Sequence, residues 1–254
     1  MTDRPPVWDA ETYDDASAPQ EAWGREVLSR LELGGEETVL DAGCGTGRVT
    51  ELILERLPRG RVIGVDASAE MIRFARERLD DRVELVQSDL LDLRLAAPVD
   101  AIFSNACFHW ISNHERLFKG LAGVLRPGGA LEAQCGGIDN VAEFERAIES
   151  ACGVDPFADY LRGMRLPWTF NRPLDTEARL SRAGFVDARC WLDRQTVQPH
   201  EPAAYARANG LAVHLAALPD DLHDEFVEAV IGAMPRPFVL EYVRMNISAR
   251  RGDG

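Results

Sequence analysis

The sequence predicts an α/β fold built on a doubly wound, mostly parallel sheet. Between residues 36 and 137, short apolar runs alternate with amphipathic helical segments. A glycine-rich loop joins the first run to the first helix, and acidic or amide residues end successive runs. Alternation of this kind gives parallel strands joined by right-handed crossovers. Ligands of such sheets bind beyond the carboxyl ends of the strands.

Five apolar runs define the strands of this core. Each is short and nearly uniform in character, as expected for strands buried on both faces. Pro58 and Gly60 end the first helix, Ser68 is the predicted N-cap of the second, and the turn 127–129 leads into the fifth strand. The five runs are TVLDA (38–42), RVIGVD (61–66), VELVQ (83–87), VDAIFSN (99–105) and ALEAQC (130–135).

The loop VLDAGCGTG, residues 39–47, is the strongest functional motif. Its glycines, Gly43, Gly45 and Gly47, let a ligand approach bare backbone at the start of a helix. Asp66 ends the next strand, where one carboxylate can accept hydrogen bonds from both hydroxyls of a ribose. The motif therefore predicts a site for a nucleoside cofactor.

The spacing and charge of the loop favour one cofactor over another. A dinucleotide fingerprint starting at Gly43 needs a third glycine at position 48, which is Arg48. Asp41 would repel a pyrophosphate, but it would hold the ammonium group of S-adenosylmethionine, which also carries a sulfonium cation.

With these motifs the chain resembles the class I S-adenosylmethionine-dependent methyltransferases, whose first motif is D/E-x-G-x-G-x-G. Further matches follow in the family's order: VDAS (65–68), SDL (88–90) and LRPGGAL (125–131). The resemblance implies a Rossmann-like methyltransferase fold with seven strands, the last antiparallel. It also implies transfer of the sulfonium methyl to an acceptor by in-line displacement, with no catalytic triad.

The resemblance assigns expected roles along the cofactor. Asp41, Gly43, Cys44 and Gly45 lie in the loop that contacts its amino-acid end, and Asp66 would hold the ribose. The adenine and methionine contacts are expected from Ala67, Met71, Ser88, Asp89, Leu90 and the backbone of Asn105.

The remainder of the chain is divided into a helical N-terminal cap (1–35) and an acceptor-binding region (138–254). The latter is expected to hold a helix at 141–153, an aromatic loop at 166–174, strands at 186–197 and 238–250, and helical stretches at 201–218 and 219–234. A helical insert between the last two strands is where several members of the family build a lid over the acceptor.

The acceptor side most resembles the trans-aconitate methyltransferase group. The resemblance is carried by WDAETYDD (8–15) with the following WG, by NACFHW (105–110) and by FVLEYVRMNISARR at 238–251. It implies a small organic acid as acceptor, with Tyr13, Trp23, His109 and Trp110 as candidate acceptor-site residues. His109 is also the candidate general base, because it alone among the histidines is expected to face the methyl group.

Composition excludes several other classes. The chain carries 28 basic and 42 acidic residues, a net charge of −14 with no basic block, which argues against a nucleic-acid partner. The single lysine, Lys119, lies in no P-loop pattern. The five cysteines and the other four histidines show no metal-ligand spacing, so no metal is expected. Without a long apolar run or a signal sequence, the chain is expected to be soluble, cytoplasmic and a monomer or homodimer, with no membrane partner.

The leading hypothesis is therefore carboxyl O-methylation of a small organic acid. The alternative is O- or N-methylation of a hydroxyl or amine, which would lose a proton and could use His109 as base. Two further alternatives, an NAD-dependent oxidoreductase and a non-catalytic nucleoside-binding protein, would be separated by titration with S-adenosylmethionine and with NAD.

Overall fold

The computed structural model describes residues 18–253, in which seven strands form one sheet with the order β3-β2-β1-β4-β5-β7-β6. All neighbouring strands are parallel except β7, which runs antiparallel to both β5 and β6. The strands are β1 (Thr38–Ala42), β2 (Arg61–Asp66), β3 (Val83–Gln87), β4 (Val99–Asn105), β5 (Leu125–Gly136), β6 (Phe185–Val197) and β7 (Leu240–Arg251).

Helices cover the sheet and build the insert between β6 and β7. The long helices of the sheet layers are α1 (Ala18–Arg30), α2 (Arg48–Glu55), α3 (Ala69–Arg78), α4 (His114–Val124) and α7 (Pro173–Arg182). Between β5 and β6 lie α5 (Ala142–Cys152) and α6 (Ala158–Leu161), and the insert between β6 and β7 holds α8 (Pro202–Ala206), α9 (Ala212–Leu215) and α10 (His223–Ala233). A π-helical turn spans Arg207–Leu211, and 3₁₀ turns span Phe108–Trp110 and Asp220–Leu222.

The predicted sheet is confirmed. The five core strands and the two C-terminal strands occur where the sequence places them, and β7 is antiparallel as the family resemblance implies. Strand β5 begins five residues earlier than expected, at Leu125. The turn at 127–129 is a bulge within that strand, because Val99 pairs with Leu125 whereas Ala101 pairs with Ala130.

The helical predictions are confirmed with corrections in the acceptor region. Ser68 caps α3, and its hydroxyl accepts a hydrogen bond from the Met71 N–H at 3.3 Å. Helix α7 was not predicted; it begins at Pro173, inside the segment expected to be a loop, because proline is favoured in the first helical turn. The stretch 201–218 is divided into two short helices by the π-helical turn.

The core lies on both faces of the sheet. Adjacent strand residues point to opposite faces, so Val39 packs with Leu28 of α1 and Leu52 of α2, whereas Leu40 belongs to the cluster containing Phe118 of α4. Burial on both faces explains why the core strands are nearly continuous apolar runs. The rigid sheet fixes the ends of β1, β2 and β4, where the predicted cofactor residues begin.

A third apolar cluster lies between α5 and the helices of the insert. Phe144 and Ile148 of α5 pack with Phe226 and Val230 of α10, and Leu240 joins the cluster to β7. Helix α5 and the insert therefore form one packed layer, anchored to the antiparallel edge of the sheet.

Candidate functional site

The cofactor cleft lies between the glycine loop, the end of β4 and helix α1. Five of the predicted cofactor residues line it: Asp41, Gly43, Cys44, Gly45 and Asn105. Helix α1 contributes Glu21, which pairs with Arg48 at 3.4 Å. The described N-terminal helix thus covers the loop that the sequence predicts as the cofactor site.

Gly43 is required by both conformation and space. Its φ of 87° lies in the left-handed region, and a Cβ there would come within 2.4 Å of the Cys107 Sγ atom. The N–H groups of Gly43 and Cys44 donate to the Val65 carbonyl at 2.8 and 3.0 Å. These bonds hold the turn against the end of β2.

Asp41 is a buried acid, so water does not solvate its carboxylate. Its Oδ2 atom accepts a hydrogen bond from the Thr50 hydroxyl at 2.7 Å. Burial, with a smaller contribution from the nearby charge of Asp66, raises the pKa of Asp41 to about 7 against the opposing effect of the Thr50 hydrogen bond. An ammonium group beside this carboxyl would stabilise its ionised form, so the site fits the amino-acid end of S-adenosylmethionine.

Asp66 holds the loop in addition to facing the predicted ribose position. Its Oδ2 atom accepts from the Gly45 N–H at 3.0 Å, and its Oδ1 atom accepts from the Ser68 N–H at 2.8 Å. Burial raises the pKa of Asp66, whereas the backbone donors at Ser68, Gly45 and Ala67 oppose that rise. The sequence did not predict this structural task. Each carboxylate oxygen retains capacity to accept a further hydrogen bond.

The predicted adenine contacts lie at the same edge of the sheet but outside the described lining of the cleft. Met71 and Leu90 are buried, and Asp89 is exposed, with its Oδ1 atom accepting from the Leu91 N–H at 2.8 Å. The roles expected for these residues, and for Ala67 and Ser88, stay predictions.

A second cleft adjoins the first and contains the predicted acceptor-site residues. It opens to solvent. Trp23, His109 and Trp110 line it, whereas Tyr13 lies outside the described residues. Ala106 lines both clefts and has a φ of 55°, unusual for a residue with a side chain. The clefts therefore meet at the turn that leaves β4.

Aromatic rings form one wall of this acceptor cleft. The Trp168 ring lies 5.8 Å from Phe170 in a stacked arrangement and 5.7 Å from Trp110 edge-on. The Thr169 N–H donates to the His109 carbonyl at 2.7 Å, and the Trp168 indole N–H donates to Glu145. These bonds fix the aromatic loop against the 3₁₀ turn.

His109 is held as a neutral hydrogen-bond donor. The Gly136 N–H donates to its Nδ1 atom at 3.2 Å, so the proton of the neutral ring resides on Nε2. Burial lowers the pKa of His109 well below its usual value, and the positive charge of Arg244 lowers it further. A base would need an unprotonated Nε2 atom, so this geometry suits orientation of an acceptor rather than proton abstraction.

Arg244 is the main functional candidate that the sequence interpretation missed. It is a buried residue of β7 that lines the acceptor cleft. Its Nε atom donates to Gln134 Oε1 at 3.2 Å, and its guanidinium carbon lies 4.4 Å from the centroid of the Trp23 ring. The alternation of polar and apolar residues in VRMNIS, 243–248, could have indicated it, because Arg244 and Asn246 share one face of a buried strand.

Helix α5 and the insert supply further lining residues that the motifs did not indicate. Phe144 of α5 and Tyr205 of α8 line the cleft, and the Tyr205 hydroxyl lies 2.9 Å from that of Tyr242. Gly210 in the π-helical turn gives Phe144 its space, since a Cβ there would come within 2.4 Å of that ring. Such π-helical turns often occur at functional sites.

Comparison with known proteins agrees with the geometry. A methyltransferase-domain family matches residues 39–129. Trans-aconitate 2-methyltransferase of Azoarcus sp. (strain BH72) is 45% identical over 129 residues, which span 51% of this chain and 51% of that enzyme. The enzyme of that name from Methylobacterium nodulans is 30% identical over 261 residues, covering 96% of this chain and 98% of the relative.

Solved structures share the fold at low sequence identity. Phosphoethanolamine N-methyltransferase 2 of Haemonchus contortus, in complex with phosphomonomethylethanolamine and S-adenosylhomocysteine, superposes with a TM-score of 0.61 and 17% identity. The match covers 96% of this chain and 57% of that one. Fold, glycine-loop site and relatives together show that the chain belongs to the class I S-adenosylmethionine-dependent methyltransferases. Within that family its relatives are the trans-aconitate 2-methyltransferases.

Two absences hold for residues 18–253. None of their helices combines the length and apolar character needed to cross a membrane. Nor do these residues bring together three or more His, Cys, Asp or Glu side chains in a group that could hold a metal ion.

Proposed function

We propose that this chain transfers the methyl group of S-adenosylmethionine to a carboxylate of a small organic acid. The observation that carries the proposal is the acceptor cleft, which presents a buried cation, Arg244, and a neutral donor, His109. Both groups suit an anion that is already nucleophilic. A free carboxylic acid has a pKa of about 4, so at neutral pH its oxygen needs no base.

The charges of the two clefts support this assignment. Glu21, Asp41 and Arg48 line the cofactor cleft, and Arg48 pairs with Glu21. That pairing leaves the acid Asp41 for a ligand that is expected to carry ammonium and sulfonium cations. Arg244 lines the acceptor cleft, and its charge also lowers the pKa of Tyr205 against the larger effect of burial. Opposite charges on adjacent clefts match a cationic donor and an anionic acceptor.

The work of the protein in this reaction is mainly positioning. S-adenosylmethionine, when bound, supplies an already activated methyl group as its sulfonium. Asp41 would hold the ammonium, Asp66 the ribose, and Nε2–H of His109 one acceptor oxygen. Alignment of reacting groups can contribute about 7–11 kcal/mol, whereas a general base adds about 10²–10⁴-fold in rate. An enzyme that methylates a carboxylate therefore loses little rate by having no general base.

Methylation of a hydroxyl or amine is the competing activity. Those acceptors lose a proton, and the expected base, His109, has its Nδ1 atom engaged by Gly136 and its proton on Nε2. The nicotinamide alternative is set aside by the family to which the chain belongs. Three expectations remain predictions: a cytoplasmic location, a monomer or homodimer, and no nucleic-acid partner.

The test is the chemical stability of the methylated product. The purified chain is incubated with methyl-tritiated S-adenosylmethionine and separate panels of carboxylic acids, phenols and amines. A methyl ester releases its label as methanol in mild base, whereas aryl ethers and methylamines keep it. We expect label that mild base releases, formed only with the acids. Base-stable label on phenols or amines, with none on acids, would overturn the proposal.

A further inference from the structure

The described lining of the acceptor cleft is rich in rings and poor in charge. Rings from α1, the 3₁₀ turn, the aromatic loop, α5 and the insert all border it, among them Trp23, Trp110, Trp168, Phe144 and Tyr205. Arg244 is the one residue with a permanent charge among the described residues that line it. A flat, apolar body would find contacts on several sides of such a cleft.

The number of positively charged residues in the acceptor cleft limits the charge of an acceptor that can bind there. Trans-aconitate, named for the relatives above, carries three carboxylates, and burying an ionised carboxylate is costly unless a cation and hydrogen bonds compensate it. Arg4 is the one Arg or Lys of the segment 1–17, which lies outside the described residues. A net charge of −14 gives the whole chain a field that disfavours a trianion further.

Several neutral polar groups of the cleft already make hydrogen bonds within the protein. Asn140 Oδ1 accepts from the Val243 N–H at 2.9 Å, and Asn209 Nδ2 donates to the Tyr205 carbonyl at 3.1 Å. The Tyr205 and Tyr242 hydroxyls bond to each other at 2.9 Å. These contacts give the cleft a polar corner near Arg244 rather than separate sites for several carboxylates.

We propose that the acceptor of this chain is a monocarboxylate on a flat, apolar body, an aryl or alkenyl carboxylic acid. The carboxylate would contact Arg244 and His109, and the flat body would lie along Trp168 and Trp110. This inference rests on the proposed function and narrows it. In the reaction the carboxylate oxygen bonds to the methyl carbon, the carbon–sulfur bond breaks with its electron pair on sulfur, and no proton moves.

The first experiment compares matched acids by binding, independently of turnover. Isothermal titration is carried out with S-adenosylhomocysteine present, using trans-cinnamate, 3-phenylpropanoate and trans-aconitate as probes. Cinnamate and phenylpropanoate differ in planarity, whereas cinnamate and aconitate differ in charge. We expect cinnamate to bind at least about tenfold more tightly than trans-aconitate and about threefold more tightly than phenylpropanoate.

The second experiment measures kcat/KM for the same acids in two variants. Trp168→Leu removes a ring from the proposed binding wall, and Tyr160→Leu removes an aromatic side chain that is exposed on α6. We expect Trp168→Leu to raise KM for cinnamate by about 3- to 10-fold and to leave that for trans-aconitate within about twofold. Tyr160→Leu should change neither.

The outcomes separate this inference from the proposed function. Base-labile methyl transfer with trans-aconitate preferred over cinnamate in both binding and kcat/KM overturns the flat monocarboxylate while preserving carboxyl methylation. Equal losses for both acids in Trp168→Leu, with an unchanged thermal midpoint, also overturn it. Transfer to phenols or amines alone overturns the proposed function itself. Preference for cinnamate that depends on Trp168 supports both.

Discussion

The cofactor cleft and the acceptor cleft are neighbours that are built in different ways. The first is lined mainly by two short segments, 41–49 and 103–106, which the adjacent strands β1 and β4 bring together. The second draws residues from Trp23 to Arg244, across α1, the insert and β7. The first carries the buried acid Asp41 besides the pair Glu21–Arg48, whereas the second carries a buried arginine. One fold thus builds its donor site from two short segments and assembles its acceptor site by long-range packing.

The junction of the two clefts explains how such different sites can serve one reaction. Ala106 lines both, and its N–H donates to the Gln134 carbonyl at 2.8 Å, which ties the turn after β4 to β5. Gln134 also accepts from Arg244 through its side chain. The acceptor cation Arg244 and the turn after β4 are therefore both held by hydrogen bonds to Gln134 of β5.

The largest expected effect follows removal of the acceptor cation. Arg244→Gln should raise KM for the carboxylate acceptor by about 100-fold or more, because one partner of a buried charged contact is lost. The dissociation constant of S-adenosylmethionine should stay within about threefold, since Arg244 lines only the acceptor cleft. Steady-state kinetics and cofactor titration measure the two quantities.

Arg250→Gln is the matched control, because Arg250 is an exposed residue of the same strand. It should leave both constants unchanged. Arg244→Lys tests the alternative of misfolding, since it keeps the charge but lacks the planar fork, and it should restore part of the affinity. If Arg244→Gln folds and retains its KM, the acceptor cleft does not recognise an anion through this residue.

The next effect concerns the cofactor cleft. Asp66→Ala should weaken S-adenosylmethionine binding by about a hundredfold, as expected for two charge-assisted hydrogen bonds to a ribose. The variant also loses the bonds to the Gly45 and Ser68 N–H groups, so its thermal midpoint is measured alongside. Asp92→Ala, an exposed acid beyond the same sheet edge, is the control. A folded Asp66→Ala variant that binds within threefold of the parent contradicts the ribose assignment.

Asp41 predicts a pH dependence of cofactor binding. Its pKa is raised to about 7 in the free protein, and a bound ammonium would lower it, so binding releases a proton below pH 7. The dissociation constant should therefore rise by up to about tenfold per pH unit as the pH falls below about 7. Calorimetry in buffers of different ionisation enthalpy measures the released proton. The pKa of Asp66 is also raised, so both acids can contribute to the pH dependence of the dissociation constant. The part of that pH dependence that is lost in Asp41→Asn is the part due to Asp41.

The same acid predicts a cost in stability. Because burial raises the folded-state pKa of Asp41 from 3.8, its contribution to unfolding free energy is present below pH 4 and lost as the pH rises to about 7. Asp41→Asn should therefore stabilise the cofactor-free protein at pH 8 by about 1 kcal/mol or more while weakening cofactor binding. If Asp41→Asn destabilises the protein at pH 8, and the difference in unfolding free energy between parent and variant does not change with pH, the acid is held ionised.

The smallest effect is expected at His109. His109→Ala should raise KM for the carboxylate by about tenfold and change kcat less, because a donor to the acceptor is lost and no base is removed. His109→Gln should recover part of the affinity, since its amide can still donate. The pH profile of kcat should lack an ascending limb near pH 6–7 in the parent. A loss of about 10³-fold in kcat with KM intact would identify His109 as a base.

The cofactor half could be predicted from sequence because its determinants are local. Asp41, Gly43 and Gly45 adjoin one strand, and Asp66 ends the next, so strand order alone brings them together. All seven strands could likewise be predicted, because each contains a run of residues that is continuous in the sequence. The second task of Asp66, holding the loop backbone, left no pattern in the sequence because it depends on the exact turn geometry.

The acceptor half could be predicted only in part. The motif NACFHW indicated His109 and Trp110 through the family resemblance, in which the segment after the fourth strand faces the methyl group. Arg244 and Tyr205 reach the cleft through the packing of β7 and of the insert, which no local spacing reveals. The protonation of His109 depends on the Gly136 N–H, 27 residues away, which the sequence interpretation could not place.

The most direct test of the anion-binding account is the protonation state of His109. Nitrogen-15 NMR of histidine-labelled protein, with His109→Gln to assign the resonance, reports which ring nitrogen carries the proton. We predict a neutral ring protonated on Nε2, with no titration between about pH 5.5 and 8. A ring protonated on Nδ1, or one that titrates near pH 6.5, would contradict the account and favour a histidine base acting on a hydroxyl or amine.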